Sequence, residues 1–152
     1  MADLFADVLP LAAEPAQTEP AADAPLADRL RPRALAEIIG QEHLTGPDGA
    51  IGRTVAANKL SSMILWGPPG TGKTSIARLL ADAVGMRFAA ISAVFSGVAD
   101  LKKAFAEADT IARAGRKTLL FVDEIHRFNR AQQDGFLPFV EKGTVTLVGA
   151  TT

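Results

Sequence analysis

The residues best suited to chemistry form one unbroken stretch, Gly67-Pro68-Pro69-Gly70-Thr71-Gly72-Lys73-Thr74. Its form, G-x-x-x-x-G-K-[ST], is that of the phosphate-cradling loop called Walker A. Gly70 and Gly72 carry no Cβ, so the chain can take conformations closed to other residues and come close to a phosphate. The loop amides and the N-terminus of the helix that follows offer donors and a positive dipole end to an anion. In this pattern Lys73 reaches the β- and γ-phosphates of a nucleotide, and the Thr74 hydroxyl ligates Mg²⁺. Gly67 to Ser75 are therefore the predicted phosphate-binding residues.

A second chemical feature lies downstream. Leu119-Leu120-Phe121-Val122 is an apolar run that delivers Asp123 and Glu124 at its C-terminal end, where parallel sheets bind their ligands. Asp123 fits the Walker B acid that holds Mg²⁺, usually through water. Glu124 fits a general base: a hydrolase must orient and deprotonate a water, whereas a kinase hands phosphate to a substrate group. The bland alternatives are a glycine-rich turn with an incidental lysine, and a capping acid beside a surface acid. Neither explains why the two motifs occur together. A dinucleotide site does not fit, because Ser75 stands where the third glycine would be and the second predicted strand ends without an acid for a ribose.

These groups need elements to hold them. Met63-Ile64-Leu65-Trp66 before the loop suits a buried parallel strand. After it, Ile76, Leu79, Leu80, Ala83 and Val84 recur at helical spacing, and Gly85 is the expected stop. Phe88 to Ala93 reads as a second strand. Asp100 to Ala114 reads as a helix with Leu101, Ala104, Phe105, Ala108 and Ile111 on one face and Gly115 as its stop. Thr118 to Val122 is a third, fully buried strand. Asn129 and Gln132 form a capping box that opens a helix ending near Gly143, with Pro138 predicted to bend or break its last turns. Thr144 to Thr151 makes a fourth strand. Upstream, Pro47-Asp48-Gly49 is a turn and Ile51 to Leu60 a short helix. Strands alternating with helices predict an α/β fold, a parallel sheet with helices on both faces.

At 152 residues the chain is long enough for one domain with a sizeable core. No apolar run approaches the ~18 residues of a membrane span, and no basic n-region precedes an apolar stretch, so neither a span nor a secretory signal is predicted. With no Cys, disulfides and thiolate metal sites are excluded. Residues 1–25 hold eight Ala, four Pro, five acids and no Lys or Arg, which predicts disorder. The remainder carries 16 bases and 12 acids, a mild excess that permits nucleic-acid contact without demanding it. Lys102, Lys103, Arg113, Arg116 and Lys117 read as solvated helix surface rather than a phosphate track. His43 has no partners at ligand spacing and reads as a surface or capping residue. Near the free end, Leu4-Phe5 with Val8, Leu9 and Leu11 is an apolar cluster. Asp3-Leu4-Phe5 looks like the tail of a sliding-clamp-binding peptide that lacks its usual upstream Gln.

Together the motifs resemble a family. Gly67 to Thr74, Val122-Asp123-Glu124-Ile125-His126-Arg127 and Gly149-Ala150-Thr151-Thr152 look like an AAA+ ATPase, a P-loop NTPase of the clamp-loader and branch-migration clade. Leu26-Ala27-Asp28-Arg29-Leu30-Arg31-Pro32, Ile39-Gly40-Gln41, Met63 to Gly67, Ser92-Ala93-Val94 with Ser96-Gly97-Val98, and His126-Arg127-Phe128-Asn129 through Gln132-Gln133-Asp134 narrow the resemblance. They are similar to the RarA (also called MgsA) family of bacterial replication-associated recombination proteins. The resemblance covers residues 26–152, with residues 1–25 as a separate tail.

That resemblance implies a cytoplasmic, nucleoid-associated, DNA-dependent ATPase that uses ATP and Mg²⁺ at stalled forks and single-strand/duplex junctions. It implies single-strand-binding protein and possible sliding-clamp partners, a homo-oligomer at full length, and no membrane. By position, Arg31, Pro32, Ile38, Ile39, Gly40 and Gln41 would line the adenine pocket. Thr152 would be the polar sensor-1 residue, with Thr151 as fallback, acting with Lys73 and Glu124 in catalysis. Ser92 would be the partner that restrains Glu124. The family's fifth strand, arginine finger, lid helices with sensor 2 and oligomerisation domain are expected beyond Thr152. The chain is thus expected to be an N-terminal piece, truncated after the fourth core strand, that does not turn ATP over alone. A clamp-loader subunit, a Holliday-junction branch-migration motor subunit, and a nucleotide-holding module without turnover remain alternatives.

Overall fold

The structure, a computed structural model, describes residues 22–152. The expectations of disorder and clamp docking fall mostly on residues 1–21, outside the described residues. The chain divides into two compact units, one ending at Arg31 and one running from Pro32 to Thr152. In the first, Pro25 caps a single helical turn, α1 (Leu26–Arg29), and Arg31 Nη2 lies 3.3 Å from Asp28 Oδ1.

The second unit opens with a 3₁₀ turn (Leu35–Glu37) and two short helices, α2 (Glu42–Thr45) and α3 (Ala50–Ala56). From there strands and helices alternate: β1 (Met63–Trp66), α4 (Lys73–Ala83), β2 (Arg87–Ser92), α5 (Val98–Arg113) and β3 (Thr118–Asp123). A 3₁₀ turn (Ile125–Arg127), α6 (Arg130–Asp134), α7 (Leu137–Glu141) and β4 (Val145–Thr151) complete it. The four strands pair in parallel in the order β1-β4-β3-β2.

Side-chain alternation splits the core into two layers. On one face Phe88, Leu119, Phe121, Val148 and Ala150 pack with Ile76, Leu79 and Leu80 of α4 and Ile51 of α3. On the other, Ala89, Ile91, Leu120, Val122 and Val145 pack with Leu101, Phe105 and Ala108 of α5 and with Phe128 and Phe136. Helices therefore cover both faces, and β3, flanked on both edges, is buried from Thr118 to Val122. The Thr118 hydroxyl is buried with no hydrogen-bond partner.

Two local expectations need correction. Met63–Trp66 is not buried throughout: β1 is an edge strand whose Met63 and Leu65 reach the core while Ile64 and Trp66 are exposed, Trp66 by 80%. The capping box is present, with Asn129 N–H donating to Gln132 Oε1 at 3.0 Å and Gln132 N–H to Asn129 Oδ1 at 2.9 Å. Its helix breaks earlier than predicted, at Gly135-Phe136, where buried Phe136 plugs into the core. Pro138 then sits in the first turn of α7, where a missing N–H costs nothing. No described helix is long and apolar enough to cross a membrane.

Candidate nucleotide site

The phosphate loop hangs between β1 and α4. Its first residue is tied to the neighbouring strand, Gly67 N–H donating to Thr151 O at 3.1 Å. Gly70 and Gly72 take φ of +79° and +83°. A Cβ at either would meet no atom within 4 Å, so backbone conformation rather than space demands glycine there. Thr71 Oγ1 donates to Pro68 O at 2.9 Å and closes the turn. Lys73 opens α4 and folds its side chain back over the loop, donating to Gly67 O at 2.6 Å and Pro68 O at 2.9 Å. The 11-residue α4 directs its N-terminal amides at the same space.

The acids arrive from β3. Asp123 ends the strand beside Ser92 of β2 in register, and its Oδ1 accepts the Glu124 N–H at 3.1 Å. Glu124 takes φ 54° and ψ 44°, a left-handed conformation uncommon for a residue with a Cβ. That reversal turns the chain sharply into the 3₁₀ turn, where Arg127 N–H donates to Glu124 O at 2.8 Å. The Glu124 carboxylate meets His126, whose Nε2 lies 3.3 Å from Glu124 Oε2. Thr151 Oγ1 lies 2.7 Å from His126 Nδ1. Ser92 was expected to restrain Glu124; it stands in register with Asp123 instead, and the contact of the Glu124 carboxylate is His126.

A cavity of about 340 Å³ collects these groups: Pro69 to Ser75, Asp123, Glu124 and Thr152 line it. Gly67 and Pro68 stand behind it as acceptors for Lys73. Thr152 faces this cavity, whereas the Thr151 hydroxyl is turned to His126. The residues fit a nucleotide with Mg²⁺. Open space over two left-handed glycines suits close-packed phosphates, and a hydroxyl with one or two carboxylates suits a cation that takes its other ligands from water and phosphate. Among the described residues no cluster of three or more His, Asp or Glu could hold a metal by itself.

A second cavity of about 380 Å³ adjoins the first, sharing Thr71 and Lys73 and lined also by Gln41, Leu44, Ile51 and β1. Of the six residues expected around adenine, Gln41 alone lines it. Ile38 is buried in the core, Ile39 is 92% exposed, and Gly40 donates its N–H to Glu42 Oε1 at 3.0 Å. That bond and Glu42's own amide hold the Glu42 carboxyl below its ordinary range and fix the turn. Pro32 begins this unit half-buried; Arg31 belongs to the other unit and pairs with Asp28. A further cavity, about 620 Å³ between α5 and α6–α7, is apolar and carries none of the phosphate-loop or Walker B residues. Lys73, Asp123 and Glu124 instead line the 340 Å³ cavity together. Sequence reasoning gave no role of its own to His126, whose place is set by the turn after Glu124 and by its contact with Thr151 on β4.

Comparisons agree with this geometry. The family of ATPases associated with various cellular activities (AAA) matches residues 63–152. Replication-associated recombination protein A of Coxiella burnetii is 53% identical over 132 residues, covering 84% of this chain and 29% of that protein. The Escherichia coli K12 protein of the same description is 52% identical over 128 residues, with the same coverage. The chain therefore spans under a third of the length of these relatives. A solved structure of the Thermotoga maritima RuvB Holliday junction branch migration motor superposes with a TM-score of 0.62 at 30% identity, over 81% of this chain and 42% of that one. By the family match, the relatives and the P-loop α/β fold, the chain belongs to the AAA family of ATPases.

Proposed function

We propose that this chain is the ATP-binding part of a DNA-dependent ATPase that maintains replication forks and takes part in recombination. The observation that carries the reading is the single cavity lined by the phosphate loop, Asp123, Glu124 and Thr152. Lys73 leaves the loop carbonyls for the β- and γ-phosphates, exchanging one set of acceptors for a more charged one. The loop amides and the α4 N-terminus bind the remaining phosphate oxygens. Thr74 and Asp123 would hold Mg²⁺, which when bound neutralises phosphate charge. Glu124 accepts a proton from the attacking water, and Thr152 orients that water or the terminal phosphate. The nucleoside lies toward the second cavity, against Gln41, Leu44 and Ile51.

The chain's similarity to replication-associated recombination proteins supports DNA forks and single-strand/duplex junctions as the setting, with single-strand-binding protein nearby and a homo-oligomer as the working form. Likeness to a branch-migration motor supports a second reading, in which the preferred DNA is a four-way junction. Phosphate release by the full-length protein, measured with single-strand, duplex, forked and four-way DNA, separates the two. Glu124→Gln should keep ATP binding and lower hydrolysis by ~10²–10⁴-fold. Turnover by Glu124→Gln at the wild-type rate refutes the base assignment. Wild-type ATP binding with no release on any DNA returns the nucleotide-holding module.

A further inference from the structure

We propose that His126 is the positioning residue for Glu124, and that it couples the base to the phosphate loop through Thr151. The inference deepens the reading of Glu124 as the base and rests on it.

A base on a flexible side chain must be held before it can act, and ~1 Å of misplacement can cost a hundredfold in rate. Glu124 lies past the end of β3, and Ser92 stands beside Asp123 rather than beside it. Its carboxylate contact is His126, two residues on. The turn carrying the ring is anchored at its end: Arg127 N–H and Phe128 N–H bond back to Glu124 O and Ile125 O, and Phe128 is buried in the core.

The two ring nitrogens face different groups, Nδ1 toward Thr151 Oγ1 at 2.7 Å and Nε2 toward Glu124 Oε2 at 3.3 Å. A neutral imidazole has one donor and one acceptor. The carboxylate can only accept, so in the neutral ring the proton belongs on Nε2, and the Thr151 hydroxyl donates to Nδ1. Thr151 in turn accepts the Gly67 N–H through its carbonyl at 3.1 Å. Thr151 thus links the two ends of a path, its carbonyl holding the first residue of the phosphate loop and its hydroxyl holding His126, the contact of Glu124. The 3.3 Å contact is longer than a charge-assisted hydrogen bond, as catalytic contacts are before substrate tightens them. It engages Oε2 and leaves Oε1 for a water. Movement of the loop onto phosphates is transmitted along this path and sets the carboxylate in place.

The test uses the full-length protein. His126→Ala should lower kcat ~10–100-fold while KM for ATP stays within about threefold. His126→Gln, whose amide supplies one donor group and one acceptor, should recover most of the loss. Thr151→Val should lower kcat as well, and the His126→Ala/Thr151→Val pair should be no worse than His126→Ala, since both cut one path. Imidazole ¹⁵N NMR, with His126 assigned by its loss in His126→Gln, should show the Nε2–H tautomer. Unchanged or raised kcat in His126→Ala, a loss carried by KM, additive double-variant losses, or an Nδ1–H tautomer each overturns the proposal. Glu124→Gln separates the two failures: if it is inactive while His126→Ala matches wild type, positioning fails and the base stands. If Glu124→Gln turns over normally, the base reading itself fails.

Discussion

The Lys73 ammonium lies 2.6 Å from Gly67 O, so the cation of the phosphate loop is held by the loop's own first residue. It therefore has two tasks, bracing the loop and meeting the phosphates. Lys73→Ala removes both. ATP affinity should fall by at least ~100-fold, or about 2.7 kcal/mol, the scale of one to two hydrogen bonds to a charged group. Titration with ATP checks this; a loss under about tenfold would place the phosphates away from Lys73.

Gly149 lies under the turn that carries the base. It pairs with Ile64 in the sheet, and a Cβ added there would stand 2.7 Å from Ile64 Cδ1 and 2.9 Å from Ile125 Cδ1. Ile64 is exposed and can yield, but Ile125 begins the turn that holds His126. Gly149→Ala should destabilise the fold by ~1–3 kcal/mol and lower kcat more than ATP affinity. Denaturant melts and ATP titrations on the same sample check both. Equal losses in binding and turnover would contradict the placement.

Thr118 carries a buried hydroxyl without a partner. Thr118→Val keeps the shape and the β-branch and removes a desolvated polar group. Stability should rise by ~1 kcal/mol, read as a higher denaturant midpoint at unchanged slope. A lower midpoint would mean that the hydroxyl is bonded in solution.

Much of this was legible because it is local. The glycine spacing of the loop, the apolar run ending in Asp123-Glu124, and the Asn129–Gln132 box each depend on residues within one turn or strand. The break at Gly135-Phe136 was not legible, since Pro138 looks like the breaker until Phe136 is seen packed against Phe105 and Phe128. The left-handed Glu124 was not legible either, because nothing in its type announces that backbone. Without that turn Ser92 is a reasonable partner; with it, His126 is. The adenine residues dispersed for a similar reason: Ile38 and Ile39 are adjacent, and the extended backbone at Ile38 sends one inward and the other out.

The exposed edge of β1 makes a further expectation. Ile64 and Trp66 present apolar side chains on a strand with unpaired backbone groups. The 152-residue chain should self-associate through this edge. Ile64→Lys/Trp66→Lys should reduce its mass in solution toward that of the monomer, measured by light scattering. Trp66 is the only Trp, so the parent chain's fluorescence should shift to the blue as it associates. A monomeric parent chain would contradict the expectation.

The strand order also sets a schedule for synthesis. Strand β1 finds its neighbour in β4, and Ser62 Oγ accepts the Leu147 N–H 85 residues later in the chain. A ribosome adding ~5–20 residues per second would release the phosphate loop roughly 4–15 s before the strand that anchors it is complete. During that interval Met63 to Trp66 is an apolar segment without its pairing partner β4. The nascent chain therefore passes through its most vulnerable state with its most chemically specialised loop already outside.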